Sequence, residues 1–298
     1  MDITALGELL IDFTDVGESS AGMKLFERNP GGAPANVAVG AARVGLRSAF
    51  IGKVGADVHG QFLRETLERE RVDCRNLLTD PDAFTTLAFV QLGAHGEREF
   101  SFSRNRSADV MLRERELDLE LIAGSSVLHV GTLSATSEPS RSATLAAAKH
   151  AKSHGVTVSL DVNYRASLWQ SADDFRAAVA LLLPYVTLLK VSDEEAELMG
   201  DALTYAAPLT VVTRGASGAD IYREGTHTTR VEAVAAPDVV DTTGAGDAFW
   251  VGVLYEFLTN GGKLDGLTGT LAAKSASLCV RKRGAIPALP TIDEILAL

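Results

Sequence analysis

The chain has 298 residues, 46% of them apolar and 22% charged, a globular balance that excludes wholesale disorder. Its 28 basic and 39 acidic residues leave a net charge of −11. That argues against a general nucleic-acid binder, which needs a basic face to neutralise phosphates, but not against a single small anion held by backbone N–H groups.

Along the chain, residues 2–10 form an apolar strand. Residues 33–44, rich in Ala and Val and followed by Gly45, form a helix. A strand over 48–54 precedes a helix over 58–69 that gathers Phe62, Leu63 and Leu67 on one face. Strands then fall at 126–130, 156–160, 186–191, 209–213 and 219–222, and helices at 139–153, 173–183, 248–258 and 264–282. Strands alternating with helices predict one α/β domain over 1–298, with a mainly parallel sheet covered on both faces. Two segments break the rhythm. Residues 13–30 lack a helical period. Residues 85–104 hold two alternating runs, 86–93 and 97–102, around Ala94-His95-Gly96, which is a hairpin signal. Together they predict a small β lid built from approximately 13–30 and 84–106.

The N-terminus is acidic where a signal peptide is basic, and the longest apolar stretch, 177–189, is interrupted by Pro184. Cys74 and Cys279 lack metal-site neighbours and read as reduced thiols. These features predict a soluble, cytoplasmic protein with no membrane partner.

The chemistry concentrates in Asp241-Thr-Thr-Gly-Ala-Gly-Asp247, a glycine loop entering an apolar helix. The N–H groups of Gly244, Ala245 and Gly246 stand at a helix N-terminus, where intrahelical partners are lacking and an anion is favoured. Asp247 beside them can cap the helix or take a proton from a bound hydroxyl. The loop is not a P-loop, because the chain contains no G-x-x-x-x-G-K-[ST], and the dinucleotide fingerprint G-x-G-x-x-G is absent too. A second glycine-rich turn, Gly31-Gly32-Ala33-Pro34-Ala35-Asn36, opens another helix. It lets a ligand approach the backbone, and Asn36 can donate and accept toward hydroxyls.

With Gly7-Glu-Leu-Leu-Ile-Asp12, Phe50-Ile-Gly-Lys-Val-Gly55 and Val212-Thr-Arg-Gly-Ala-Ser-Gly218, these motifs occur in the order found in the PfkB (ribokinase-like) carbohydrate kinases. The sequence resembles that family over nearly its whole length. The resemblance implies a ribokinase-like three-layer α/β/α sandwich with a β lid, and an enzyme that transfers phosphate from ATP to a sugar hydroxyl. It makes Asp247 the general base and the Gly244, Ala245 and Gly246 N–H groups the anion hole. Asp12, Asn36 and the Gly31-Gly32 backbone would hold the sugar. Asn163, Lys190, Thr213, Gly215 and Gly218 would serve the nucleotide. Asp241 and Thr243, with carbonyls near Gly284, would hold a monovalent cation such as K⁺. Mg²⁺ would arrive with ATP, and Glu195 would orient one of its waters. Here the sequence departs from the family's Asn-x-x-Glu: Ser192-Asp-Glu-Glu195 keeps the Glu and loses the Asn, and also reads as a capping box. Relatives pair their lids, which implies a possible homodimer.

For the sugar, Gly-Gly-Ala-Pro-Ala-Asn36, Lys190-Val-Ser-Asp-Glu-Glu195, Gly96-Glu-Arg-Glu-Phe100 and Gly284-Ala-Ile-Pro-Ala-Leu-Pro290 resemble fructokinases. Asp161-Val-Asn-Tyr-Arg165 is shared with 2-keto-3-deoxygluconate kinases. That acidic substrate needs a cation, which Arg104, Arg106 or Arg165 can supply. Arg104 and Arg165 are accordingly candidates for substrate contact. Fructose phosphorylated to fructose 6-phosphate is the leading expectation; a sugar-acid or nucleoside kinase, and a non-catalytic sensor on the same fold, are the alternatives. His150 and His154 lack the carboxylate of a zinc motif, Trp169 and Trp250 read as packing residues, and Arg281-Lys-Arg283 as a charge complement to a helix end.

Overall fold

Strands buried along their whole length need cover on both faces. The computed structural model, which describes residues 1–92 and 98–298, shows how this chain supplies it. The strands are β1 (Ile3–Leu6), β2 (Leu10–Glu18), β3 (Lys24–Gly31), β4 (Ser48–Gly55), β5 (Asp73–Asp80), β6 (Leu87–Leu92), β7 (Arg98–Ser103), β8 (Val127–Gly131), β9 (Thr157–Asp161), β10 (Leu188–Ser192), β11 (Leu209–Thr213), β12 (Ala219–Arg223) and β13 (Thr226–Val231). The helices are α1 (Ala33–Arg43), α2 (Val58–Arg69), α3 (Leu119–Ala123), α4 (Ser140–Ser153), α5 (Ala172–Leu182), α6 (Asp193–Met199), α7 (Asp201–Thr204), α8 (Ala245–Thr259), α9 (Thr270–Cys279) and α10 (Ile292–Ala297).

The large sheet has the order β13-β12-β11-β10-β9-β8-β1-β4-β5. From β11 to β5 neighbouring strands run parallel, while β12 and β13 close one edge antiparallel. Strand parity decides which side chains meet which helices. Leu128, Val130, Leu160 and Val191 pack with Ala143 and Ala147 of α4 and Phe175 of α5. Their alternates Val127, Leu188 and Val211 pack on the opposite face with Trp250, Val251 and Leu254 of α8. On that second face Ala5 and Phe50 meet Val39 of α1 and Leu63 and Leu67 of α2. The result is the expected three-layer α/β/α sandwich.

A separate sheet, ordered β3-β2-β6-β7, forms the lid. Residues 13–30, which lack a helical period, fall within an antiparallel hairpin of β2 and β3. Its alternation is hidden by a register break between Asp15 and Glu18 and by a largely exposed β3. The pairing of β6 with β7 is antiparallel as predicted, although the turn at Ala94-His95-Gly96 lies outside the described residues. Strands β5 and β13 escaped the sequence pattern. Both are edge strands with many polar residues, DCRNLLTD and THTTRV. The helix expected over 264–282 is shorter, because Gly266 and Gly269 adopt positive φ just before α9. Helix α2 begins and ends as predicted, with the Asp57 carboxylate capping it through the His59 and Gly60 N–H groups. Among the described residues, no helix is long and apolar enough to cross a membrane.

Helices α8 and α9 touch at Gly252, where a Cβ would lie 2.4 Å from the Ala272 Cα. Gly→Ala inside a helix ordinarily stabilises by about 1 kcal/mol. Here we expect Gly252→Ala to destabilise, by about 1–3 kcal/mol, through overpacking. Urea denaturation checks the sign, and a gain in stability would contradict this packing.

Candidate active site

A cavity of about 460 Å³ opens between the lid and the carboxyl ends of the parallel strands, where open α/β sheets bind ligands. The lid contributes Leu10, Asp12 and Phe102. The start of α1 contributes Gly32, Ala33 and Asn36. The strand ends supply Glu8, Leu133, Asn163, Arg165 and Lys190, and the loop into α8 supplies Thr242, Thr243, Gly244, Gly246 and Asp247. The two glycine-rich motifs, far apart in sequence, meet here: Asn36 Nδ2 donates to Asp247 Oδ2 at 2.7 Å.

Backbone geometry explains the glycines. Gly244 begins α8 in the left-handed region at φ 77°, with a Cβ position only 2.9 Å from the Ala285 Cα. At the other motif, a Cβ on Gly31 would lie 2.1 Å from Asp12 Oδ2, so only glycine lets Asp12 stand over the β2–β3 pair. Of the three N–H groups expected in the anion hole, that of Ala245 already leans on the Thr242 carbonyl at 3.3 Å. Gly246 instead lies against an ammonium: its Cβ position is 3.2 Å from Lys190 Nζ.

Lys190 and Asp161 form a buried ion pair at 2.8 Å. They sit opposite each other on β10 and β9, on the face that α8 covers. Burial alone would lower the Lys190 pKa, but the carboxylates of Asp161, Asp247 and Glu195 outweigh it and hold the ammonium above its usual range. The Asp247 carboxyl is pushed up to about 6, first by burial and then by Asp161, against the pull of Lys190, Asn36 and Arg165. Glu8 is pushed up to about 7 by burial, with Arg104 opposing. Asn36 Oδ1, Asp161 Oδ1 and Glu8 Oε2 are buried acceptors with no protein partner among the described residues. A site rich in carboxylates of raised proton affinity beside a cation and a helix N-terminus is suited to proton abstraction and anion transfer.

Other expected residues are placed as follows. Arg165 lines the cavity and donates to the Tyr164 carbonyl. Thr213, Gly215 and Gly218 lie on and just beyond β11, beside the Ser192 end of β10 and outside the cavity lining. Asp241 draws its loop together, accepting from Thr243 N–H, Thr243 Oγ1 and the Gly284 N–H. One carboxylate among backbone and hydroxyl oxygens is a donor set that suits a hard monovalent cation. Glu195 makes the capping box with Ser192, and its Oε1 accepts the Tyr164 N–H at 2.6 Å. The serine that departs from the family pattern therefore caps α6.

Arg104, expected in contact with the sugar, is outside the cavity lining and bonds Asp109, Thr136 and the Leu133 carbonyl. Sequence reasoning also passed over Glu8, Asp161 and Asp109 as functional groups. The first two stand inside motifs already singled out, but that Asp161 faces Lys190 follows from the β9–β10 register, which the sequence pattern does not give. Trp250 and Trp169 are buried packing residues. His150 and His154 stack on each other, and no group of three metal-ligating side chains occurs among the described residues.

The fold is a three-layer α/β sandwich whose separate β sheet covers a cavity at the strand ends. Residues 1–292 match the pfkB family of carbohydrate kinases, and the chain belongs to that family. It is 42% identical to a probable chloroplastic fructokinase-6 of Arabidopsis thaliana, over 98% of this chain and 81% of the relative. Among solved structures it is similar to a fructokinase of Vibrio cholerae O395 bound to fructose, ADP and calcium (TM-score 0.87, 34% identity, 100% of this chain and 98% of that one). It is also similar to a Xylella fastidiosa fructokinase with bound ATP (TM-score 0.86, 29% identity, 99% and 97%).

Folded Asp247 keeps its proton to about pH 6 against an ordinary 3.8. Ionising it therefore costs the fold stability as pH rises through that window, and the full cost remains above it. Asp247→Asn should raise Tm at pH 8 and leave it near wild type below pH ~4. A thermal melt at both pH values checks this; no gain at pH 8 would contradict the electrostatic account.

Proposed function

We propose that the protein phosphorylates the primary hydroxyl of fructose with ATP, giving fructose 6-phosphate. The observation that carries this reading is the Asn36–Asp247 contact at the N-terminus of α8, which puts a proton acceptor, a hydroxyl binder and an anion pocket within one cavity. Asp12, Asn36 and the Gly31-Gly32 backbone hold the sugar. Asp247 takes the proton of the hydroxyl as its oxygen forms a bond to the γ-phosphorus and the bond to ADP breaks. The N–H groups of Gly244, Ala245 and Gly246, with the Lys190 ammonium, stabilise the charge on the transferring phosphoryl, where positioning and electrostatics supply most of the catalysis. The lid excludes water that would otherwise hydrolyse ATP. The nucleotide lies from Asn163 and Lys190 toward Thr213, Gly215 and Gly218. Mg²⁺ bound to its phosphates would neutralise their charge, with Glu195 placed to orient a bound water. Asp241, with oxygens around Thr243 and Gly284, would hold K⁺.

Coupled ADP release with Mg-ATP and K⁺ against fructose, glucose, ribose, 2-keto-3-deoxygluconate and nucleosides tests the substrate. Asp247→Asn should lower kcat by about 10²–10⁴-fold or more while ATP binding persists; near-wild-type turnover would remove the base assignment. Only the ionised carboxylate accepts a proton, so kcat/KM should fall as pH drops through about 6. A pH-independent acid limb would contradict it.

The reading extends to assembly. The lid hairpin exposes Met23 at 67% and Leu25 at 45%, and we assign it the contact of a homodimer. Sedimentation should show a dimer that Met23→Lys with Leu25→Lys converts to monomer; an unchanged sedimentation coefficient would place the contact elsewhere.

A further inference from the structure

Arg104 follows β7 and turns beneath the cavity wall. Its side chain is 4% exposed and that of Asp109 only 1%. Nε donates to Asp109 Oδ2 at 2.8 Å, Nη1 to Thr136 Oγ1 at 2.8 Å, and Nη2 to the Leu133 carbonyl at 2.9 Å. The second Asp109 oxygen accepts from Thr86 Oγ1 at 2.6 Å. Glu8, 2% exposed, is a further carboxylate within the field of this guanidinium. Leu133 and Glu8 both line the sugar cavity. A guanidinium thus stands behind one wall of the cavity with its charge compensated and its donors turned inward.

A planar guanidinium is the side chain best shaped to grip a carboxylate through two parallel hydrogen bonds. Here a buried carboxylate of the protein already takes one edge of the guanidinium, with Nε and Nη2 both at Asp109 Oδ2. The cavity lining itself carries three acidic side chains, Glu8, Asp12 and Asp247. We propose that Asp109 is a specificity-determining residue: by neutralising Arg104 it denies a cation to the carboxylate of a sugar acid, so that the cavity takes uncharged sugars. Asp109 acts through Arg104 and touches no reacting atom. The inference rests on the sugar-kinase reading above and names the class of sugar that site accepts.

The test compares kcat/KM for fructose and for 2-keto-3-deoxygluconate in the wild type and in Asp109→Asn, which removes the charge at constant shape. The ratio should shift toward the acid by at least about tenfold, the scale of a changed polar contact in a specificity site. Adding Arg104→Met to Asp109→Asn should abolish the gain. Equal loss on both substrates would show a purely structural role and overturn the proposal. If Asp109→Asn fails to fold, Glu8→Gln removes the other carboxylate facing Arg104 and keeps an acceptor for the Ala33 N–H. It should move the ratio the same way, and an unmoved ratio overturns the proposal. Wild-type turnover of fructose tests the parent reading separately. Should fructose not be the substrate, calorimetric titration with 2-keto-3-deoxygluconate and with the neutral sugars gives the same comparison. An affinity gain confined to the acid supports the inference, and none overturns it.

Discussion

The cavity end of the molecule is arranged around a buried ion pair, Lys190 with Asp161 at 2.8 Å. A charge withdrawn from water must be paired or it is lost to neutralisation. The parallel register of β9 and β10 places the two side chains opposite each other, on the face covered by α8. Gly246 has no side chain, so the first turn of α8 can settle against the ammonium. Asp247, on that same turn, is half-buried in the cavity wall and lies in the fields of both partners. The buried ammonium and the raised proton affinity of Asp247 are consequences of one arrangement.

The lid depends on a second buried pair. Arg104 follows β7 and Thr86 precedes β6, and both bond Asp109. Both legs of the hairpin are therefore tied to one carboxylate, and Arg104 carries the tie on to Leu133 and Thr136 beside β8. Phe102 is held over the cavity by this anchorage. Charges that look from sequence like ligands for a substrate are, in the fold, partners of each other.

Much of the architecture was legible because it follows from short-range rules. Residues 58–69 carry a helical apolar stripe with an Asp cap and form α2 over those residues. The buried parallel strands β8 to β11 read as short apolar runs. The lid's first hairpin did not, because β3 is mostly exposed and the register slips between Asp15 and Glu18, so no period survives. The edge strands β5 and β13 carry many polar residues for the same reason. Within the site, the glycines and Asp247 stand out because backbone geometry at a helix entry demands them. Asp161 and Glu8 do not stand out, since a carboxylate in an apolar strand looks alike whether it faces water or a buried lysine.

The sequence by itself determined the alternation of strands and helices, the two glycine turns, and the residue types that these turns bring to the cavity. These rest on steric limits and periodicities that act over a few residues. Only the tertiary structure decided the chemistry of the charged groups. The proton affinity of Asp247 depends on burial and on Asp161 and Lys190. Arg104 became a strut because Asp109 reaches it inside the protein. Electrostatic energies are set by the exclusion of water and by partners distant in the chain, and neither exists until the layers have packed.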